Sequence, residues 1–300
     1  MLLLAADNPL THVVDHALIR NPDAPAPFQT ILSVHMVTLA LASALLVWLM
    51  LSVARAARQG KASEGPDRYI TRGRLAQGVE AMCLYLRDEV VKPQLGDKTD
   101  RYIGFLWTLF FFILVNNLLG LVPLLDLQGI LGVLLGKEHL AFVGGTATGD
   151  IAVTAALALI AFVVIQVTGL RTLGLKGWAS HLTAGAPAYL WPIMVPVEIM
   201  SMFIKPFALA VRLFANMVAG HTLLATLMLF TKMGLEGVGL FSGGAISLVS
   251  IASALPIMLL EVLVAFIQAF IFFILTTVFI AQLAHEHHHE DHEEPALAAA

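Results

Sequence analysis

Residues 189–231 read YLWPIMVPVEIMSMFIKPFALAVRLFANMVAGHTLLATLMLFT, and this stretch indicates the fold class. Its residues are mostly apolar, yet three charged side chains and a histidine lie among them: Glu198, Lys205, Arg212 and His221. A helix of about forty residues is about 60 Å long, twice the thickness of a bilayer's hydrocarbon core. The stretch therefore predicts a membrane helix that is either strongly tilted or broken at one of its prolines.

The whole chain has the composition of a membrane protein. Of its 300 residues 58% are hydrophobic and 13% are charged, and the mean hydropathy is +0.84. Soluble domains carry about 25% charged residues, so a soluble enzyme is excluded. The net charge of -4 provides no basic surface for nucleic acid. The apolar blocks predict an all-α polytopic membrane protein with a single transmembrane domain, residues 31–284, and spans at about 31–54, 102–125, 151–170, 189–231 and 245–284.

The basic residues predict the orientation. Twelve of the seventeen Lys and Arg follow the first and third spans, so the positive-inside rule places the N-terminus outside and the C-terminus in the cytoplasm. Residues 1–30 are then an external tail, without the basic n-region of a signal peptide. Residues 55–101 form a cytoplasmic loop, and residues 285–300 form a cytoplasmic tail rich in His and acids. Within the loop, apolar residues spaced three and four apart predict an amphipathic surface helix: Leu75, Val79, Met82, Leu86 and Val90.

Helical periodicity groups the charged residues of the fourth span. Steps of seven return to nearly the same face, so Glu198, Lys205 and Arg212 form one polar stripe, with Asn216 about 40° away. An arginine in mid-membrane costs about 2.5 to 3.5 kcal/mol and must face water or a carboxylate. Two interpretations stay open: a structural arginine paired with Glu198 or Glu261, or a face that contacts another membrane protein. Small residues on or beside the stripe favour the second: Ser201, Ala208, Ala215 and Ala219.

The last span carries the matching polar groups. Glu261 and Gln268 are seven residues apart and share a face, so we expect Gln268 to hydrogen-bond with Arg212. His221 points to the opposite side of its helix from Arg212, and we expect it to meet Glu261. Such a pair is either a proton relay or a structural hydrogen bond that holds two helices together.

Two segments on the last two spans resemble a known family. KPFALAVRLFANMVAGH, residues 205–221, closely resembles the signature of subunit a of F-type ATP synthases. EVLVAFIQAFIFFILTTVFI, residues 261–280, resembles the last helix of that subunit. The resemblance extends upstream through NNLLGLVP at 116–123 and TGDIAVTAAL at 148–157.

The resemblance implies a function and a site. In that family the subunit is the membrane stator beside a rotating ring of c subunits, and its last two helices form a tilted hairpin along the ring. Arg212 would be the essential arginine that faces each ring carboxylate, flanked by Asn216 and Gln268. His221 and Glu261 would belong to the half-channel open to the outside, although the family often has the acid and the histidine in the reverse order. Glu198 would lie toward the cytoplasmic half-channel.

Two weaker assignments follow from the same resemblance. Asn116 and Asp150 would line the outer half-channel, but Asp150 is equally placed to cap the third span. Expected partners are the c ring, the peripheral-stalk b subunits, the rest of the ATP synthase complex and the lipid bilayer. The transported ion is expected to be a proton, because a histidine stands in the channel. The location would be a bacterial plasma membrane.

The chain is expected to be non-catalytic and to need no cofactor or metal. It has no Walker-type phosphate loop, so ATP chemistry belongs to other subunits. The tail HEHHHEDHEE has metal-ligand composition, but we interpret it as a solvated, pH-responsive tail. Two alternatives remain: a secondary transporter that binds an anion at Arg212, and a scaffold subunit of a respiratory complex with structural buried charges.

Overall fold

The structure is a computed structural model, and it describes residues 17–20, 30–57, 71, 73–122, 124, 128, 144–183, 187–237 and 240–285. The His- and acid-rich tail beyond residue 285 and most of the segment between the second and third predicted spans lie outside the described residues.

Helices dominate the described part of the chain. The five long ones are α1 (Val34–Ala57), α4 (Thr99–Leu121), α5 (Ile151–His181), α6 (Trp191–Gly237) and α7 (Leu240–His285). Two shorter ones, α2 (Arg74–Tyr85) and α3 (Lys92–Leu95), precede α4 and are joined by a π-helical turn at Leu86–Val91. Among the residues described, five helical segments are long and apolar enough to cross a membrane. The chain is therefore an all-α polytopic membrane protein in its architecture, as predicted.

The two longest helices are continuous rather than broken. Pro196 and Pro206 lie inside α6, and Pro256 lies inside α7. Proline removes one backbone hydrogen bond, but neighbouring helices stabilise such positions in membrane proteins. At about 1.5 Å per residue each helix is about 70 Å long, more than twice the hydrocarbon thickness, so tilt is the way to accommodate it.

Several boundaries differ from those predicted. The third span was expected to end at Leu170, but α5 continues to His181 through Gly174, whose φ of 68° leaves helical geometry. The residues Arg171 and Lys176 therefore lie on a helix rather than in a loop. Glycine tolerates this backbone conformation because it has no Cβ. The second predicted span corresponds to α4, which ends at Leu121 instead of at Leu125, two residues before a proline in the sequence.

A short hairpin precedes the first span and was not predicted. Its antiparallel strands are β1 (Ala17–Arg20) and β2 (Thr30–Ser33), with register shifts between their paired residues. The β2 strand takes the residues predicted to start the first span, so the helix begins at Val34 instead of Ile31. Strands of four residues are too short for the alternation of polar and apolar residues to reveal them.

Two compact units contain the described residues. The first takes those within Met1–Trp48, Phe111–Thr154 and Val211–Ala269, and the second those within Leu49–Phe110, Ala155–Ala210 and Phe270–Ala300. The core of the first includes the wholly buried Leu213 and Ile113; that of the second includes Phe272 and Phe273.

The predicted amphipathic helix is present in the second unit. Trp107 of α4 donates from its indole N–H to the carbonyl of Cys83 at 3.2 Å, which fixes α2 against α4. Arg87 and Asp100 form an exposed ion pair at 2.9 Å. Leu86 is buried whereas Leu75 is exposed, so the apolar stripe is only partly covered by the described residues.

Candidate functional site

Arg212 lies on an uncovered face of α6. Its side chain is exposed, as are those of Ala215 and Ala219 on the same unit, while the adjacent Leu213 is wholly buried. Among the residues that the structure describes, none forms an ion pair or a side-chain hydrogen bond with Arg212. The geometry thus offers no support for a structural arginine paired with Glu261, whose carboxylate meets His221 instead.

Asn216, not Arg212, is the hydrogen-bond partner of Gln268. The Asn216 amide donates to Oε1 of Gln268 at 3.0 Å, joining α6 to α7. The predicted bond from Gln268 to Arg212 is wrong, because the exposed face of α6 carries the arginine away from the buried Gln268. Asn216 is four residues further along the helix and about 40° around it, which brings it to the covered side. Gln268 is 2% exposed and its amide nitrogen has no partner among the described residues.

His221 and Glu261 meet across α6 and α7, as their positions predict. Nδ1 of His221 lies 3.4 Å from Oε1 of Glu261, a separation at the long end for a hydrogen bond. Glu261 is 6% exposed, and neither carboxylate oxygen has a hydrogen-bond partner in the described part of the chain. Ionised carboxylates are costly to bury without hydrogen bonds, so the contact with the histidine ring matters for a carboxyl group in this position.

The absence of a side chain at position 220 allows this contact. A Cβ built on Gly220 would overlap Oε1 of Glu261 and lie 2.7 Å from its carboxyl carbon. Real Cβ atoms do not approach other atoms so closely, so any larger residue would displace the carboxylate. Because Gly220 has no side chain, Glu261 has space for its carboxylate beside His221.

Two further groups lie within hydrogen-bond distance of His221, and neither was predicted from the sequence. Oγ1 of Thr146 lies 2.5 Å from Nε2 of the ring, and the carbonyl oxygen of Gly120 lies 3.0 Å from the same nitrogen. Gly120 is near the end of α4, and Thr146 precedes the 3-10 turn Ala147–Gly149 that leads into α5. A backbone carbonyl has no sequence signature, whereas the run of small and hydroxyl residues at 144–149 was available as a weak one.

Asn116 and Asp150 both make local hydrogen bonds. The Asn116 amide donates to the carbonyl of Phe112 at 2.8 Å, and its Oδ1, although buried, has no described partner. Oδ1 of Asp150 accepts from the backbone N–H of Ala152 at 2.8 Å, so Asp150 caps the N-terminus of α5. Next to them, Thr148 donates to Oδ1 of Asn117 at 2.9 Å.

Glu198 lies in a cleft of the second unit. Both Glu198 and Lys205 line this cleft among mostly apolar residues of α5, α6 and α7. Nζ of Lys205 lies 5.0 Å from the centre of the Phe279 ring, a cation–π contact. The cleft thus places one carboxylate and one ammonium group in a space that water can enter.

Metal binding has no support in the described part of the chain. No group of three or more His, Cys, Asp or Glu side chains there is arranged to hold an ion.

Comparison with known proteins identifies the family. Residues 35–281 match the family model described as ATP synthase A chain. Three curated relatives are each named ATP synthase subunit a. The chain is 44% identical to that of Myxococcus xanthus (strain DK1622) over 75% of this chain and 66% of the relative. It is 40% identical to that of Chloroherpeton thalassium (strain ATCC 35110 / GB-78) over 88% of this chain and 70% of the relative. It is 37% identical to that of Anaeromyxobacter sp. (strain Fw109-5) over 92% of this chain and 61% of the relative.

These matches leave part of each relative unaccounted for. The chain spans about two thirds of the length of the curated relatives that it matches. The family match at residues 35–281 nevertheless overlaps each of the five membrane-length helices found among the described residues, and it includes every candidate residue. The chain therefore belongs to the ATP synthase subunit a family.

Proposed function

We propose that this chain is the proton-translocating stator subunit of an F-type ATP synthase, with Arg212 facing the carboxylates of a rotating c ring. The observation that carries the proposal is the exposed Arg212, without a described ion-pair partner, beside small exposed residues of a membrane helix. A cation at membrane depth needs water or a carboxylate. A carboxylate on a neighbouring subunit supplies one, and Ala215 and Ala219 let that subunit approach closely.

The arginine acts by electrostatics. Its guanidinium stays protonated, so it attracts an ionised ring carboxylate strongly in poorly screened surroundings. Elsewhere around the ring, lipid favours the neutral, protonated carboxyl group. Each carboxyl therefore loses its proton on approaching Arg212 and regains one after passing it. Protons do not cross without rotation, because the fixed cation blocks a direct path between the two half-channels.

The outer half-channel is assigned to the first unit. His221 and Glu261 exchange protons there, while Asn216 and Gln268 position the ring-facing part of α6 and α7. Asn116 and Asp150 are assigned to the polar wall of the same half-channel. The buried carboxylate of Glu261, which has no hydrogen-bond partner among the described residues, supports this assignment.

The cytoplasmic half-channel is assigned to the cleft of the second unit. Glu198 and Lys205 both line this cleft, which gives an ionisable group access to water in an otherwise apolar region. Offset half-channels on the two sides of the membrane would force the ring to turn as protons move. About 2.3 kcal/mol per charge per 100 mV is available from the membrane potential.

The remaining assignments follow from membership of the family and from the basic loops. The subunit lies in a bacterial inner membrane with its N-terminus outside and its C-terminus in the cytoplasm. It binds the c ring and the peripheral-stalk b subunits, and the complex makes ATP on other subunits. The chain itself carries protons and catalyses no reaction of ATP.

The test is ATP-driven acidification of inverted membrane vesicles that carry Arg212→Ala. Arg171→Ala serves as the matched control, because Arg171 is also an exposed arginine on a long membrane helix. Co-purification of the c ring checks assembly. We expect the Arg212 variant to assemble and pump less than about 1% of wild type, a loss of over 100-fold or about 2.7 kcal/mol, while the control pumps normally. Retained pumping, or loss of assembly alone, would reassign Arg212 to a structural role as in a scaffold subunit.

A further inference from the structure

The two ring nitrogens of His221 face different groups. Nε2 faces the Gly120 carbonyl oxygen at 3.0 Å and Oγ1 of Thr146 at 2.5 Å. Nδ1 faces the Glu261 carboxylate at 3.4 Å. The two ring nitrogens of a neutral histidine differ in that one carries hydrogen and the other a lone pair, and their neighbours decide which is which.

The Gly120 carbonyl decides the position of the hydrogen. A carbonyl oxygen only accepts hydrogen bonds, so a contact of 3.0 Å with a bare ring nitrogen would set two lone pairs against each other. Nε2 therefore carries a hydrogen in both the neutral and the charged ring. The Thr146 hydroxyl oxygen accepts a share of the same hydrogen, because its oxygen also offers lone pairs to Nε2–H.

We infer that Thr146 and the Gly120 carbonyl fix the tautomer of His221, so that Nδ1 alone exchanges a proton with Glu261. In this exchange the N–H bond at Nδ1 of the charged ring breaks and an O–H bond forms on the Glu261 carboxylate. The products are a neutral ring with hydrogen on Nε2 and a neutral carboxyl group. The pair therefore holds one exchangeable proton.

This inference rests on the proposed function and specifies the side of the His221 ring at which the proton enters and leaves. With Nε2–H retained, a proton does not enter the ring at one nitrogen and leave at the other. It arrives and departs on the Glu261 side, where the buried Oε2 has no described partner. His221 then holds one proton and releases it again. Thr146 is the positioning residue that keeps the ring in this orientation.

The site is tightly packed around Thr146. A Cβ on Gly120 would meet the side chain of Thr146, with its Oγ1 at 2.6 Å. Thr146 is 5% exposed and so has little room to move. The absence of a side chain at Gly120 thus brings the threonine hydroxyl and the α4 carbonyl to the same ring nitrogen.

The test combines ring spectroscopy with proton pumping in the assembled ATP synthase. Solid-state 15N magnetic resonance of complexes labelled at histidine, with the spectrum of His221→Gln subtracted, reports which nitrogen of His221 carries hydrogen. We expect an Nε2–H ring in the wild type and a mixture of both tautomers in Thr146→Val, because without the threonine hydroxyl the ring is no longer held against the Gly120 carbonyl. We expect Thr146→Val to pump about tenfold more slowly, since one hydrogen bond to the ring is lost.

Two variants separate positioning from packing. Thr146→Ser restores the hydroxyl and should recover at least half of the wild-type rate and the Nε2–H signal. Thr148→Val removes a buried hydroxyl from the same segment, one that bonds Asn117 rather than His221, and should leave the ring signal unchanged. An Nδ1–H ring in the wild type would overturn the inference, as would a Thr146→Val enzyme that matches wild type in both measurements.

The outcome is distinct from that of the Arg212 experiment. If Arg212→Ala abolishes pumping while the wild-type ring carries its hydrogen on Nδ1, only the inference about the tautomer fails. If Arg212→Ala pumps normally, the proposed function fails whatever the tautomer of His221.

Discussion

In the first unit, the polar residues of α6 and α7 divide into an exposed group and a buried group. Arg212 is exposed, whereas Gln268 and Glu261 are buried where α7 meets α6. The exposed arginine is available to a partner subunit. The buried groups connect α6 with α7 and, through His221, with the Gly120 carbonyl at the end of α4.

Gly220 gives a prediction at this scale. In Gly220→Ala the new methyl group would push Glu261 away from His221, because it overlaps Oε1 in the present arrangement. Overpacking of this kind costs about 1 to 3 kcal/mol, and we expect ATP-driven acidification to fall at least about tenfold. Glu261→Asp added to Gly220→Ala shortens the acid and should recover part of the rate.

Gly104→Ala is the matched control for this prediction. Gly104 lies on α4 and a Cβ there has no atom within 4 Å, so the added methyl displaces nothing. Equal losses in the two variants, or no loss in Gly220→Ala, would contradict the role given to the Glu261 contact.

Helical periodicity explains which site residues were predictable. Spacing along two regular helices placed His221 opposite Arg212 and put Glu261 on the same face as Gln268, and the structure brings His221 to Glu261 where α6 meets α7. The choice between Arg212 and Asn216 as partner of Gln268 depended on a rotation of about 40°, which sequence spacing does not resolve. Thr146 was missed because its contact with His221 comes from a non-helical segment.

At the scale of elements, helix number was predictable but helix ends were not. Runs of apolar residues long enough to span a bilayer predicted all five long helices. The extension of α5 to His181 was hidden because charged residues suggested a loop, although they are compatible with a helix that leaves the membrane. The register-shifted hairpin depends on pairing between strands and not on composition.

Asp150 gives a prediction at the scale of an element. Its carboxylate caps α5, and Asn caps helices about as well as Asp. We expect Asp150→Asn to retain at least half of the wild-type pumping. Asp150→Ala removes the cap and should destabilise the subunit by about 1 kcal/mol, seen as a lower temperature of dissociation of the purified complex. Complete loss of pumping in Asp150→Asn with an unchanged dissociation temperature would show instead that the carboxylate itself carries protons.

At the scale of the whole molecule, the described residues form five membrane-length helices with a large apolar surface. On α7 of the first unit the exposed side chains repeat every three or four residues: Leu248, Ile251, Leu255, Leu259 and Leu263. Lipid or another membrane subunit covers such a surface in the membrane. The proposed function assigns the surface around Arg212 to the c ring, and this contact is the central claim of the account.

The most direct measurement is disulfide formation between Ala215→Cys and a cysteine placed beside the ion-binding carboxylate of the c subunit, in a Cys83→Ala background. Ala215 is exposed near Arg212, and Val47→Cys on α1, 59% exposed, is the control for random encounter. The account predicts a cross-linked product with Ala215→Cys and none with Val47→Cys. Cross-linking from Val47→Cys but not from Ala215→Cys would contradict the assignment of Arg212 to the ring.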